Sequence, residues 1–182
     1  MRPVLVVIFI CLLAIAAMLS FGAVLQYRRY RGKYQAIAAA LCDPGTWRIC
    51  FHVRTLLLKG RVDGRAMRYS VFGDERGASL VSSYLLLEWP VKRNLRFYSG
   101  GDLDLVDLDA RESLAPLEEM TGFRALFLAS EKTPRLATLM ARPLGFGTAP
   151  GLLLWKFGND AFDPDRVGED LRLLSSLAAR GI

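Results

Sequence analysis

Four aspartates close together in the middle of the chain are the most conspicuous residues whose chemistry suits a metal ion. They alternate with apolar residues in the stretch GGDLDLVDLD. A calcium loop of the EF-hand type needs glycine at its sixth position and glutamate at its twelfth. Counted from Asp102, those positions hold Asp107 and Ser113. The alternation therefore predicts a strand with a solvated acidic face, with cation binding by Asp102, Asp104, Asp107 and Asp109 as the alternative.

His52 is the only histidine of the chain and lies in the stretch CFHVR. A histidine that acts as a general base needs a nucleophile and an orienting acid beside it, which the spacing of residues does not supply. No P-loop, dinucleotide-binding, nucleophile-elbow or zinc-protease motif occurs in the sequence. The residue types therefore predict no catalytic residue, no metal site and no cofactor.

Two cysteines lie eight positions apart in the stretch CDPGTWRIC, which begins at Cys42 and ends at Cys50. With a single histidine in the chain they do not complete the four ligands of a structural zinc site. In a reducing compartment both are free thiols. An extracytoplasmic domain with a Cys42–Cys50 disulfide is the alternative.

The elements that would position these residues begin with a long uncharged run. Residues 3–25, PVLVVIFICLLAIAAMLSFGAVL, contain 23 consecutive residues without a charge. As a helix they extend about 34 Å, which is enough to cross the hydrocarbon core of a bilayer of about 30 Å. The run is longer than the apolar core of a cleaved leader. It predicts a retained signal-anchor, a single transmembrane helix that makes the chain a single-pass membrane protein.

Basic residues and tyrosines follow the uncharged run at once. Loops rich in Lys and Arg stay on the cytoplasmic side of a membrane, and tyrosine rings favour the headgroup region. The cluster thus predicts a cytoplasmic domain and a membrane-interface segment. The predicted interface residues are Tyr27, Arg28, Arg29, Tyr30, Arg31 and Lys33.

The positive charge of the chain belongs to this segment and not to the domain that follows it. The formal net charge is +6, and five of the 24 basic residues lie in residues 1–33, which contain no acid. Residues 34–182 therefore carry 19 basic and 18 acidic side chains. A nearly neutral domain gives no electrostatic reason to expect a nucleic acid as a partner.

Residues 34–182 are predicted to form one α+β domain with an antiparallel sheet of about five to seven strands and about two helices. The turn signal Asp63-Gly64 predicts a hairpin, and Asp163-Pro164 predicts the start of the last helix. Residues 34–42 continue the first helix, and 132–143 predict a short amphipathic helix. Extended runs are predicted at 48–60, 65–72, 78–91, 92–99, 102–110, 122–130 and 152–158. The runs 92–99 and 102–110 are predicted to pair as a hairpin, and a helix start is the alternative at 122–130.

These features favour a membrane-anchored protein whose small domain binds membrane lipid or another protein, membrane-bound or cytoplasmic, without catalysis. The cations of the basic hairpin are predicted to be solvated or to pair with acids of residues 102–119, and the alternatives are that the hairpin lies flat on an anionic leaflet or faces another protein. These cations are Arg54, Lys59, Arg61, Arg65 and Arg68. The alternative is an enzyme or small-ligand-binding protein whose site is built from dispersed Arg, Asp and Tyr residues.

Overall fold

The structure, a computed structural model, gives the bounds of two long helices and seven strands. It describes residues 3–52, 55–72, 81–90, 95–98, 114, 116–117, 119–120, 122–129 and 150–180. In chain order the elements are α1 (Pro3–Leu41), β1 (Arg48–His52), β2 (Thr55–Val62), β3 (Arg65–Phe72), β4 (Ser82–Glu88), β5 (Leu95–Tyr98), β6 (Phe123–Ala129), β7 (Gly151–Phe157) and α2 (Pro164–Ala179).

The seven strands form one antiparallel sheet in the order β1-β2-β3-β4-β7-β6-β5. Each of the first four strands pairs with its neighbour in the chain, and β7 then inserts between β4 and β6. The prediction of an α+β fold with an antiparallel sheet is confirmed. The division of the chain at residue 33 stays a prediction, although α1 runs through that point without interruption.

The hairpin between β2 and β3 lies at the predicted turn. Asp63 and Gly64 have φ angles of 51° and 72°, the left-handed conformation that a two-residue hairpin turn requires. The predicted single run at 48–60 is wrong, because it is two strands, β1 and β2, that pair with each other as far as His52 and Thr55. Val53 and Arg54 carry no turn chemistry, so nothing in the sequence marks this division.

The second half of the sheet agrees with most of the predicted strands. Strands β5, β6 and β7 lie within or next to the predicted runs, and β5 pairs with β6 in the structure. The predicted hairpin partner of β5, residues 102–110, lies outside the described residues, as does the helix predicted at 132–143. Helix α2 begins as predicted, with Pro164 in its first turn and the Asp163 carboxylate accepting a hydrogen bond from the Asp165 N–H at 3.0 Å.

The core lies on the face of the sheet that the second part of α1 and α2 cover. Leu56 and Leu58 belong to this large core, whereas Leu57 between them belongs to a smaller cluster on the opposite face. The alternation follows from the two-residue period of a strand. Each fully buried leucine contributes roughly 1.5–3 kcal/mol of stability. Helix α1 therefore is an integral part of the domain from Tyr34 to Leu41.

The prediction of a transmembrane helix, and with it the single-pass membrane location, is corrected by the structure. Among the residues that the structure describes, no helix meets the length and hydropathy that a membrane crossing requires. The predicted continuation of this helix over residues 34–42 agrees with the structure, in which α1 passes through the basic residues and into the core of the domain as far as Leu41.

The Tyr34 hydroxyl joins α1 to the hairpin. It donates a hydrogen bond to the Leu56 carbonyl at 3.0 Å and accepts one from the Val71 N–H at 2.9 Å. The pairing of β2 with β3 stops at Leu57 and Ser70, one residue before these two groups. The tyrosine thus satisfies backbone groups that the strand ladder leaves open, and burial raises its pKa above the ordinary range.

We expect the Tyr34→Phe variant to lose about 1–3 kcal/mol in free energy of unfolding, because the buried Val71 N–H loses its acceptor. Chemical denaturation followed by circular dichroism measures this loss. Tyr30→Phe is the matched control, since the Tyr30 ring stacks on Phe162 with centroids 5.2 Å apart and the variant keeps that ring. Equal losses in the two variants would contradict the role of the Tyr34 hydroxyl.

Candidate interaction surface

The first part of α1 carries an extended apolar surface. Of the 13 large hydrophobic side chains that are exposed among the described residues, twelve lie on α1 between Val6 and Leu25, and the thirteenth is Phe51. The exposed fractions of those twelve run from 44% to 68%. We call residues 3–25 of α1 the apolar segment. Contiguous apolar surface of this kind on a folded protein marks an interaction site.

The apolar segment has no polar side. Five consecutive residues from Val6 to Ile10 are all large, apolar and exposed. Successive residues of a helix are turned by about 100°, so five in sequence point in all directions around the axis. A surface helix of a globular domain has one apolar stripe and one polar face. The segment differs from such a helix because every side of it is apolar.

The predicted interface residues lie where the apolar segment ends and the domain begins. Tyr27 and Tyr30 are half-buried against the core. Several cations lie over aromatic rings here, at distances typical of cation–π contacts. The contacts are Arg29 over Tyr30 at 4.9 Å, Arg31 over Tyr27 at 5.5 Å, and Lys33 over Phe162 at 4.7 Å. Arg28 is exposed. Contact of these six residues with lipid stays a prediction.

Three cations of the hairpin, Lys59, Arg61 and Arg68, lie on the face opposite the helices, whereas Arg65 lies across from Val62 on the face of the large core. Lys59 lies directly across from Arg48 on β1 and from Arg68 on β3. Arg68 forms an ion pair with Glu88 at 3.1 Å, and the Arg65 guanidinium lies 3.1 Å from the ring centroid of Trp89. Arg65 and Arg68 are therefore engaged within the domain. Arg54 lies outside the described residues.

Cation binding by the aspartates and a disulfide between Cys42 and Cys50 were the alternatives that the sequence left open. Within the described part of the chain, no cluster of three or more His, Cys, Asp or Glu residues is arranged to hold a metal ion, and the aspartates of 102–109 lie outside it. Cys42 and Cys50 are free thiols. Burial raises the pKa of Cys42 to about 11, so its thiol is protonated and a poor nucleophile at neutral pH.

The two cysteines lie on opposite faces of the sheet. Cys42 adjoins Gly60, where an added Cβ would lie 2.6 Å from its sulfur, and Gly60 has the same orientation as Leu58 in the large core. Cys50 is the cross-strand partner of Leu57, which belongs to the cluster on the other face. A disulfide between them would have to pass through the sheet. The geometry does not favour this alternative.

Sequence reasoning missed a buried ion pair between the sheet and α2. The Lys156 ammonium donates to both carboxylate oxygens of Asp170, at 2.8 and 2.9 Å. Lys156 lies across from the buried Ser83, and both residues of the ion pair are more than 90% buried. The sequence did contain an indication of this ion pair, because the acidic residue Asp170 interrupts the apolar stripe of α2 between Val167 and Leu171.

The same region contains a buried tyrosine. The Tyr69 hydroxyl donates to the Ala161 carbonyl, and burial raises the pKa of Tyr69 well above 10.0. Tyr69, Lys156 and Asp170 are thus bound to partners inside the domain. These bonds join α2 and the residues just before it to the sheet.

Comparison of the chain with protein-family models, curated proteins and solved structures gave no match. The assignment of function therefore rests on the geometry of the molecule itself.

We expect single substitution of either partner of the ion pair to destabilise the domain strongly. Asp170→Leu leaves the Lys156 ammonium buried without its carboxylate and costs about 3–5 kcal/mol. The double variant Lys156→Met/Asp170→Leu buries apolar groups instead and recovers most of this loss. Urea denaturation of the two single variants and the double variant measures the coupling. Additive losses would contradict the pairing.

Asp170 also makes stability depend on pH. Burial raises the pKa of Asp170 above its ordinary value of 3.8, and Lys156 offsets only part of this effect. The folded chain therefore binds the proton more tightly than the unfolded chain, and the contribution of Asp170 to stability falls as the pH rises through the interval between the two pKa values. We expect the stability difference between the native chain and the double variant to decrease as the pH is raised from about 4.

Urea denaturation at a series of pH values gives this difference directly. An increase of the difference over the same interval would mean that the Lys156 charge outweighs the burial of Asp170, and would contradict the expected decrease.

Proposed function

We propose that the protein is a non-catalytic binding module that docks on another protein through the apolar segment of α1. The observation that carries this proposal is the unpartnered, all-round apolar surface between Val6 and Leu25. Burying that surface is favourable by about 25 cal/mol for each Å² removed from water. The described part of the domain does not cover this surface, and a binding partner would do so.

The size of the apolar segment suits a stable interface. A helix of 23 residues about 34 Å long and about 10 Å across presents a lateral surface of about 1,000 Å². A specific protein–protein interface of standard size buries about 800 Å² on each partner. The largest apolar patch on an ordinary monomer covers about 300–600 Å². The segment is thus larger than an incidental patch and large enough for specific binding.

The junction between segment and domain supports the same function. Helix α1 is continuous from Pro3 to Leu41, and Tyr34, Ile37 and Ala38 are buried in the core. The segment is therefore presented in a helical form that is already ordered before binding. A pre-ordered surface loses less conformational entropy on association than a flexible tail does.

Photo-crosslinking tests this proposal in the full-length chain. A benzophenone amino acid replaces Phe9 or Phe21, which are 63% and 66% exposed on the segment, or Phe51, which is 43% exposed on β1. We expect discrete protein adducts from positions 9 and 21 after illumination of the producing cells, and none from position 51. Adducts with lipid alone, or no adduct, would contradict a protein partner.

A charge in the segment provides the matched comparison. Leu13→Lys places an ammonium group in the middle of the segment, and it should abolish the adducts formed at Phe9 in the same chain. Ala39→Lys makes the same kind of change at an exposed position of α1 beyond the segment, and should leave them intact. Loss of adducts in both variants would indicate a general effect on the helix and would contradict the proposal.

A further inference from the structure

The apolar segment needs a partner that is itself apolar along its length. Residues 3–25 offer no charge, and a charged or polar partner surface would lose its hydration there without compensation. A second copy of the chain carries one suitable surface among its described residues. Twelve of its 13 large exposed hydrophobic side chains lie on the same segment, and Phe51 is isolated from them. Docking of the segment on the described domain of another copy has no comparable apolar target.

We infer that the apolar segments of several copies of this chain associate side by side, with neighbouring helices antiparallel. This inference rests on the proposed function and specifies its partner. The number of copies exceeds two, because one neighbouring helix covers only one side of a segment that is apolar on all sides. Each further neighbouring helix removes another side of the segment from water.

The charges at the end of the segment select the antiparallel arrangement. Arg28, Arg29, Arg31 and Lys33 follow it, and Arg2 is the only charged side chain that precedes it. Parallel neighbours would bring two clusters of four cations side by side. In antiparallel neighbours centred near residue 14 the two clusters lie about 48 Å apart, far beyond the screening length of about 8 Å at physiological ionic strength.

One stripe of the segment can report on the arrangement directly. Cys11, Ile15 and Met18 are exposed and spaced four and three residues apart, so they share one side of the helix. In an antiparallel pair centred near residue 14, position 11 of one copy faces position 18 of its neighbour. In a parallel pair, Cys11 faces Cys11. The native cysteine thus distinguishes the two arrangements.

Sedimentation of the full-length chain without detergent provides the first test. We expect a defined species of more than two copies, which Leu13→Lys converts to monomer and Ala39→Lys does not. The thermal transition of the domain in each variant verifies that it remains folded. A monomeric native chain, a dimer, or a continuous distribution of sizes overturns the inference.

Oxidative crosslinking provides the second test. We expect the Met18→Cys variant to form disulfides between Cys11 of one copy and the introduced thiol at position 18 of another, identified by mass spectrometry. Disulfides between the Cys11 thiols of two copies of the native chain overturn the antiparallel arrangement.

The photo-adducts from Phe9 separate this inference from the proposed function. Adducts with a different protein, formed by a chain that sediments as a monomer, overturn self-association and leave the docking function in place. A monomeric chain that floats with phosphatidylcholine vesicles and forms lipid adducts overturns both.

Discussion

The rest of the fold depends on how α1 enters the sheet, and the Tyr34 hydroxyl is the centre of that junction. Near the start of β2, the chain leaves its pairing with β3, and backbone groups of Leu56 and Val71 would remain unsatisfied in a buried place. Three side-chain hydroxyls form hydrogen bonds with these backbone groups in place of a strand partner. Tyr34 bonds to both groups, Ser70 donates to the Leu56 carbonyl at 2.9 Å, and Thr55 donates to the Val71 carbonyl at 2.7 Å. A helix that supplies one of these hydroxyls has a defined position on the sheet.

A second contact closes the same junction at the other end of the hairpin. Directly after α1, the Asp43 carboxylate accepts hydrogen bonds from the backbone N–H groups of Asp63 and Gly64, at 3.2 and 2.9 Å. The tip of the hairpin is thus bound to the end of the helix, while Tyr34 binds its base. The second helix is held in a similar way. The Lys156–Asp170 pair holds α2 on β7, and Phe162, just before α2, contacts Tyr30 and Tyr34 of α1. The direction in which α1 leaves the domain follows from these contacts.

The hairpin turn and the start of α2 could be predicted from the sequence, because a few neighbouring residues determine each of them. Asp63-Gly64 tolerates the left-handed backbone of a tight hairpin, and Asp163-Pro164 begins a helix by capping it and by lacking an unneeded N–H group. The division between β1 and β2 was missed because Val53 and Arg54 are not residues that favour a turn. The ion pair was missed because Lys156 and Asp170 are joined only by the fold. The transmembrane helix was predicted wrongly, because the length of an uncharged run does not show that its helix continues into a folded domain and is held there.

The candidate surface exists because one part of α1 is packed against the domain and the other part is exposed. From Tyr34 onward the helix is held by hydrogen bonds, rings and buried aliphatic groups, so its conformation is determined by the domain. Before Tyr27 its large exposed side chains have the same apolar character but no partner within the described domain. Because both parts form one helix, a neighbour bound to the segment has a fixed position relative to the domain instead of moving on a flexible tether. The exposed Arg28 and Arg31 lie between the two parts of the helix. The contacts that stabilise the domain are therefore distinct from those that a partner would make with the segment. The position of such a partner relative to the domain is nevertheless set by the helix that they share.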